Sequence, residues 1–191
     1  MSLRLAPLEP PYPDELAATL AAMMPPGLPP LLLFRTLAHN PRVLAKIRAG
    51  NLLDRGPLER RHREIVILRT TARCGCEYEW GVHVAFFAAK VGLDDAEVAA
   101  TAHAGPEYAG WSERERTLIR LADELHETAR ISDALWSDLR TQWSDAQLVE
   151  LVVLAGFYHT ISFAVNGLGV EHESSAPRFP VPAGTGLSQR T

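Results

Sequence analysis

Two cysteines in 191 residues are too few to staple a small secreted domain, so the chain has to hold itself together by burial. The opening "MSLRLAPLEPPYPDEL" has no apolar run of the kind a secretory signal needs, which predicts a cytoplasmic protein. Strand-like alternation bounded by hairpin turns is missing throughout. Neither sign of charge dominates, since 19 Lys+Arg oppose 23 Asp+Glu for a formal net charge of -4. That balance gives no electrostatic case for nucleic acid or an anionic membrane as partner. Gly-rich phosphate loops and Ser nucleophile elbows are absent too. Only one run is long and apolar, 148–170, and it carries Glu150, His159 and Asn166 without flanking Lys/Arg asymmetry. It predicts a central buried helix of a soluble oligomer rather than a membrane span.

What is present is a 47% hydrophobic composition arranged as one helix after another, so the fold class is all-α. Helical patterns cover 13–24, 31–40, 41–56, 57–74, 76–92, 94–105, 112–130 and 132–143, followed by a last long helix. Ser112 with Glu115 and Ser144 with Gln147 form capping-box pairs, and Gly92 is a natural C-cap. The mixed run "LERRHRE" (58–64) reads as the solvated start of a helix. Residues 1–30 read as an N-terminal helical arm, 31–172 as the main domain and 173–191 as an extended or disordered tail. "REIVILRTTARCGCEYEW" can be laid on "VELVVLAGFYHTISFAVN" with Glu64 over Glu150, which is compatible with two related helical halves and equally with two Val/Leu-rich buried helices.

The chemistry concentrates in "RCGCEYEWGVH" (73–83). Cys76, Glu79 and His83 lie at i, i+3 and i+7, the spacing of one helix face. Glu64 lies on the preceding helix. If the two helices fold back on each other at Gly75, Glu64 meets the second helix near His83. Two carboxylates, an imidazole and a thiol would then converge. A carboxylate beside a histidine makes a general base or acid, and a histidine beside a thiol makes a nucleophilic thiolate. Core packing remains the alternative for each residue taken singly. Metal ligation by Glu79, His83 and Glu64 is the weaker reading, because Cys-x-Cys is not a zinc-knuckle spacing and no second pair exists; neither a metal nor an organic cofactor is expected. Tyr158, His159 and Asn166 are candidate cavity residues in the second half.

The stretch "REIVILRTTARCGCEYEWGVHVAFFAAKVGLDDAEV" resembles the core motif of the carboxymuconolactone decarboxylase/AhpD-like superfamily, and "YEWGVH" resembles its YEWxxH subgroup. The resemblance is strongest over 57–104 and weaker in the second half. It implies an AhpD-like helical bundle that assembles as a homo-oligomer and acts on a small molecule. In alkylhydroperoxidase D-type members a Cys-x-x-Cys pair, a histidine and an upstream glutamate reduce peroxides. Matched to this sequence, Glu64 takes the glutamate place, His83 the histidine place and Cys76 the first cysteine place. Glu79 stands where the second cysteine belongs. On this expectation Cys76 is the reactive thiol, Cys74 the resolving thiol, His83 the proton shuttle, and Glu64 and Glu79 its supports. Decarboxylase-type members imply cofactor-free acid–base chemistry centred on His83, acting on a small organic acid with no need of a thiol. Two carboxylates would repel such an anion unless an arginine helps, and Arg69 and Arg73 are near in sequence. A non-catalytic oligomeric binding protein that keeps the cavity is the third expectation.

Overall fold

In the computed structural model, which describes residues 3–181, nine α-helices and no strand occur among the described residues. They are α1 (Asp14–Ala21), α2 (Leu32–Leu37), α3 (Pro41–Ala49), α4 (Arg60–Arg73), α5 (Glu77–His83), α6 (Asp95–His103), α7 (Glu113–Thr128), α8 (Asp133–Gln142) and α9 (Asp145–Leu168). Residues 182–191 of the expected tail lie outside the described residues.

Helix α4 is the axis of the fold and packs against α5, α6, α7 and α9. Ile65, Val66, Ile67 and Leu68 are each fully buried. Four consecutive buried residues surround a helix rather than stripe it, which requires neighbours on every side. At roughly 1.5–3 kcal/mol per buried side chain of this size, this turn is a main source of stability.

The same encirclement corrects the reading of 58–64 as a solvated start, because His62, Arg63 and Glu64 are all buried. Partners distant in sequence make this tolerable. Arg63 donates to the Leu53 carbonyl at 2.9 Å and pairs with Glu64, His62 packs edge-on against Trp143, and beside them the half-buried Arg61 bridges Glu97 and Glu115. Buried charge is stable only when compensated in this way.

Both capping boxes form, at Ser112/Glu115 and Ser144/Gln147. Helix α3 stops earlier than the pattern suggested, at Ala49, with Gly50 as its C-cap. The expected helix 76–92 is not uniform. Its α-helical part ends at His83, a π-helical turn covers Val84–Ala88 and a 3-10 turn covers Ala89–Val91. Gly92 ends it in the left-handed region at φ 72°, as its C-cap place requires.

Helix α9 buries Leu148, Leu151, Leu154, Ala155, Tyr158, Ile161, Ser162 and Val165, the three-and-four spacing of one helix face. By length and composition it would suit a membrane span, yet much of it is buried inside the fold, where it packs against α4, α5 and α7. Val149, Val153 and Phe163 on its other side are exposed. The proposed overlay of α4–α5 on α9 does not extend to the backbone: the first turns at Gly75 whereas the second runs unbroken for 24 residues.

The arm and the tail both join the body. Leu20 of α1 is fully buried in a cluster with Leu33, Leu44, Cys76 and Ile161. The tail lies across α5. Glu173 accepts from the Tyr78 hydroxyl at 2.6 Å, Arg178 pairs with Glu77 at 2.6 Å, and Phe179 rests on Trp80. A Cβ at Gly81 would overlap the Pro177 carbonyl, so glycine there lets the tail approach.

Candidate functional site

The site starts from the turn between α4 and α5. Helix α4 ends at Arg73, and Gly75 takes a left-handed φ of 60°, a conformation that costs other residues about 1 kcal/mol or more. The chain then reverses, and α5 runs back along α4. Glu64, nineteen residues before His83, thereby meets it: His83 Nδ1 donates to Glu64 Oε2 at 2.7 Å. Arg63 Nε reaches the other Glu64 oxygen at 3.3 Å. On the opposite side of the ring, His83 Nε2 lies 3.5 Å from Glu79 Oε1, too long for a strong hydrogen bond. The second Glu79 oxygen is buried without a partner among the described residues.

The imidazole is 3% exposed. Burial on its own would push it toward neutrality. The charge and hydrogen bond of Glu64, then those of Glu79, outweigh burial and hold His83 up at about 9. At neutral pH it is an imidazolium, tightly held at Nδ1 and loosely held at Nε2. Tyr158 stands edge-on to the ring, with centroids 5.0 Å apart. Burial and the two nearby carboxylates raise its phenol well above the usual range, so it stays a hydroxyl donor.

His83, Glu79 and Tyr158 face a cavity of about 370 Å³. Its walls are mostly apolar, with Met23, Phe34, Phe86, Phe87 and Phe157 among them, and the segment after α1 closes one side. The π turn after His83 is what aims Phe86 and Phe87 into this space; such turns recur at functional sites. Two cations, Arg48 and Lys90, also line it, and both are solvent-exposed.

The structure therefore brings together Glu64, Glu79 and His83 and leaves both thiols out. Cys76 is fully buried in the cluster formed by α1, α2 and α9 and is not part of the cavity wall. Burial dominates its chemistry, with Glu79's charge adding to it, and pushes its thiol up to about 12 despite the Glu79 N–H and the Ser162 hydroxyl beside it. Cys74 is half-buried and also raised, again by burial first. Its sulfur points to His126 of α7 at 3.7 Å. Arg69 and Arg73 do not face the cavity; Arg69 pairs with Asp123, and Arg73 with Asp123 and Glu127. Of the three second-half residues, Tyr158 lines the cavity, His159 turns toward His126, and Asn166 donates to the Cys74 carbonyl at 3.0 Å. Arg48 and Lys90 had no sequence signal beyond being basic, since only the three-dimensional path of α3 and the π turn brings them to the rim.

Residues 40–124 match the carboxymuconolactone decarboxylase family, a segment that contains Glu64, Glu79, His83 and both cysteines. No curated protein sequence matches the chain. Solved structures share its fold over nearly its whole length. An uncharacterised peroxidase-related protein from Silicibacter sp. TM1040 superposes with a TM-score of 0.79 at 18% identity, over 93% of this chain and 96% of that one. An uncharacterised peroxidase-related protein from Ralstonia eutropha JMP134, described as an alkylhydroperoxidase AhpD core, gives 0.74 at 18% identity, over 91% and 95%. The debrominase Bmp8, solved with 2,3,4-tribromopyrrole, gives 0.73 at 14% identity, over 92% and 94%. Over residues 40–124 the chain is thus similar to the carboxymuconolactone decarboxylase family, and its helical fold is that of the solved AhpD-like structures.

Proposed function

We propose that the protein is a cofactor-free acid–base enzyme of the carboxymuconolactone decarboxylase type, acting on a small organic acid with an apolar body. One observation carries this reading: an imidazolium held between two carboxylates faces an apolar cavity that neither thiol reaches. Arg48 and Lys90 at the rim draw an anion inward. Inside, the carbon–carbon bond to the substrate carboxylate breaks and carbon dioxide leaves. The electron pair left on the substrate takes the proton from His83 Nε2. Glu79, 3.5 Å from that nitrogen, relays a solvent proton back. Glu64 holds the ring by Nδ1 and stabilises its charge, and the Tyr158 hydroxyl is placed to steady a developing enolate oxygen.

The test is turnover of a panel of small lactone and keto acids, followed by carbon dioxide release. His83→Ala abolishes turnover, while Cys74→Ser and Cys76→Ser preserve it. Loss of turnover in the cysteine variants, with activity appearing only in the presence of peroxide, would overturn the reading.

A thiol peroxidase ranks second. It is favoured by the spacing of the two cysteines, one residue apart across Gly75, and by the Ser162 hydroxyl, which favours the thiolate of both. In that scheme the Cys76 thiolate attacks the peroxide, the O–O bond breaks and an alcohol leaves. Cys74 then displaces water from the resulting sulfenic acid to form a disulfide, which an external thiol reduces. With a thiol at about 12, only about one part in 10⁵ is thiolate at pH 7, which places this reading behind the first.

Self-association belongs to the same proposal. A second copy of the chain would cover Val149, Val153 and Phe163 of α9, which otherwise present apolar surface to water. Light scattering on the parent and on Val153→Asp measures it: a higher-mass parent and a monomeric variant support it, and a monomeric parent refutes it.

A further inference from the structure

Away from the cavity, three side chains from three helices meet. Cys74 closes the end of α4, His126 lies in the last turn of α7, and His159 follows Tyr158 in α9. His126 Nδ1 is 3.1 Å from His159 Nε2 and 3.7 Å from Cys74 Sγ. The three donor atoms all lie within 4.8 Å of one another. His159 Nδ1 donates to the Ala155 carbonyl at 2.8 Å, which leaves the lone pair of its neutral ring on Nε2, facing the other two. His126 Nδ1 has one proton or one lone pair to offer, and so cannot satisfy both a nitrogen and a sulfur neighbour.

We propose that Cys74, His126 and His159 bind a zinc ion through two imidazole nitrogens and a thiolate, with a fourth position open to solvent. Bonds of about 2.0–2.1 Å to nitrogen and about 2.3 Å to sulfur give a tetrahedron with edges of roughly 3.4 Å between nitrogens and roughly 3.5 Å between nitrogen and sulfur. The separations of 3.1 Å and 3.7 Å need shifts of only a few tenths of an ångström. A donor set of one sulfur and two imidazoles, with no carboxylate in it, selects zinc over magnesium or calcium.

The surroundings are built for it. The Ala155 carbonyl orients His159 from behind, as outer hydrogen bonds do for metal-binding histidines. Asn166 fixes the Cys74 backbone through its carbonyl. The nearby cation Arg73 is paired with Asp123 and Glu127. All three ligands are half-buried, so solvent reaches the site. On binding, the Cys74 thiol gives up its proton to solvent and the sulfur takes the metal. His126 and His159 lie beyond the family segment at 40–124, and none of the three lines the His83 cavity.

The experiment uses the full chain, reduced and stripped of metal, titrated with Co²⁺ as a spectroscopic stand-in for Zn²⁺. The expected result is one equivalent bound, with a thiolate-to-cobalt charge-transfer band and intense tetrahedral d–d bands that stoichiometric Zn²⁺ removes. Cys74→Ser eliminates the charge-transfer band. His126→Gln and His159→Gln each weaken Zn²⁺ binding by at least about tenfold, with far-ultraviolet circular dichroism showing that each variant folds. Cys76→Ser keeps the cobalt spectrum intact. The proposal fails if the parent shows no tetrahedral cobalt spectrum, if Cys74→Ser retains the charge-transfer band, or if the band follows Cys76 instead.

Discussion

Replacing Glu64 by glutamine keeps the shape of the side chain and removes its charge, which isolates what holds His83 as an imidazolium. His83 stands at about 9 against an ordinary 6.5. That gap corresponds to about 3 kcal/mol of preference for the charged ring. Among the raising influences Glu64 comes first and Glu79 second. In Glu64→Gln, burial meets only Glu79 at 3.5 Å, and the imidazole falls back to its ordinary range or below. The folded pKa of the parent is raised, so this stabilisation is fully present below about pH 6.5 and disappears as pH climbs through about 9. The parent should therefore lose about 3 kcal/mol across that window relative to the variant. Taking the difference between the two proteins cancels the other histidines, which titrate alike in both. A histidine Cε1–H nuclear magnetic resonance titration reads the pKa directly, and urea unfolding at the two ends of the window reads the energy. The reasoning is refuted if His83 in the variant still titrates near 9, or if the stability difference between the two proteins does not change with pH.

Three further outcomes follow from the geometry. An aromatic disulfide reagent at neutral pH should label the half-buried Cys74 slowly and leave Cys76 untouched until denaturant is added; prompt labelling of both thiols would show that the burial of Cys76 is wrong. Arg48→Ala with Lys90→Ala should raise KM for an anionic substrate roughly three- to tenfold and flatten its salt dependence with kcat unchanged; an unaltered KM would remove the rim cations from substrate capture. Gly81→Ala should cost about 1–3 kcal/mol by crowding the tail and speed proteolysis after Arg178, and a variant as stable and as resistant as the parent would show that the tail does not rest on α5 as described.

How much of this was legible in the sequence depends on the range of the forces involved. Helix starts at Ser112 and Ser144 were readable because a capping box is a contact between residues three apart. The Glu64–His83 pair was readable because a single left-handed glycine folds one helix back on the other. The burial of His62 and Arg63 was not, since what encloses them comes from elsewhere in the chain: Trp143 stands edge-on against His62, and the Leu53 carbonyl accepts from Arg63. The i, i+3, i+7 spacing placed Cys76 with Glu79 and His83, but Cys76 is the residue before α5 starts, at φ −93° and ψ 76°. A helical wheel does not apply to a residue outside the helix, and its sulfur goes to another cluster. The π turn at Val84–Ala88 likewise breaks the period that sequence reasoning assumes. His126 and His159 are lone histidines on separate helices, and nothing local to either announces the other.

Burial acts on the thiol and on the imidazole in the same physical way, yet it leaves them in opposite states. It penalises charge on both. Among the described residues no cation offsets the penalty at Cys76, so it stays a thiol; His83 has two anions, so it stays charged. The division predicts how to convert one chemistry into the other. Glu79→Cys would put a sulfur on the cavity wall in the place of the carboxylate that now lies 3.5 Å from His83 Nε2. There an imidazolium supported by Glu64 would favour the thiolate, and the new thiol's pKa should fall below the ordinary value of about 8.5. Its alkylation rate as a function of pH measures that pKa, in a background of Cys74→Ser and Cys76→Ser. A thiolate formed below pH 8 together with gained peroxide reduction is the expected outcome. A new thiol that ionises only well above 8.5 would mean that the imidazolium does not govern the cavity, and the acid–base assignment of His83 would fall with it.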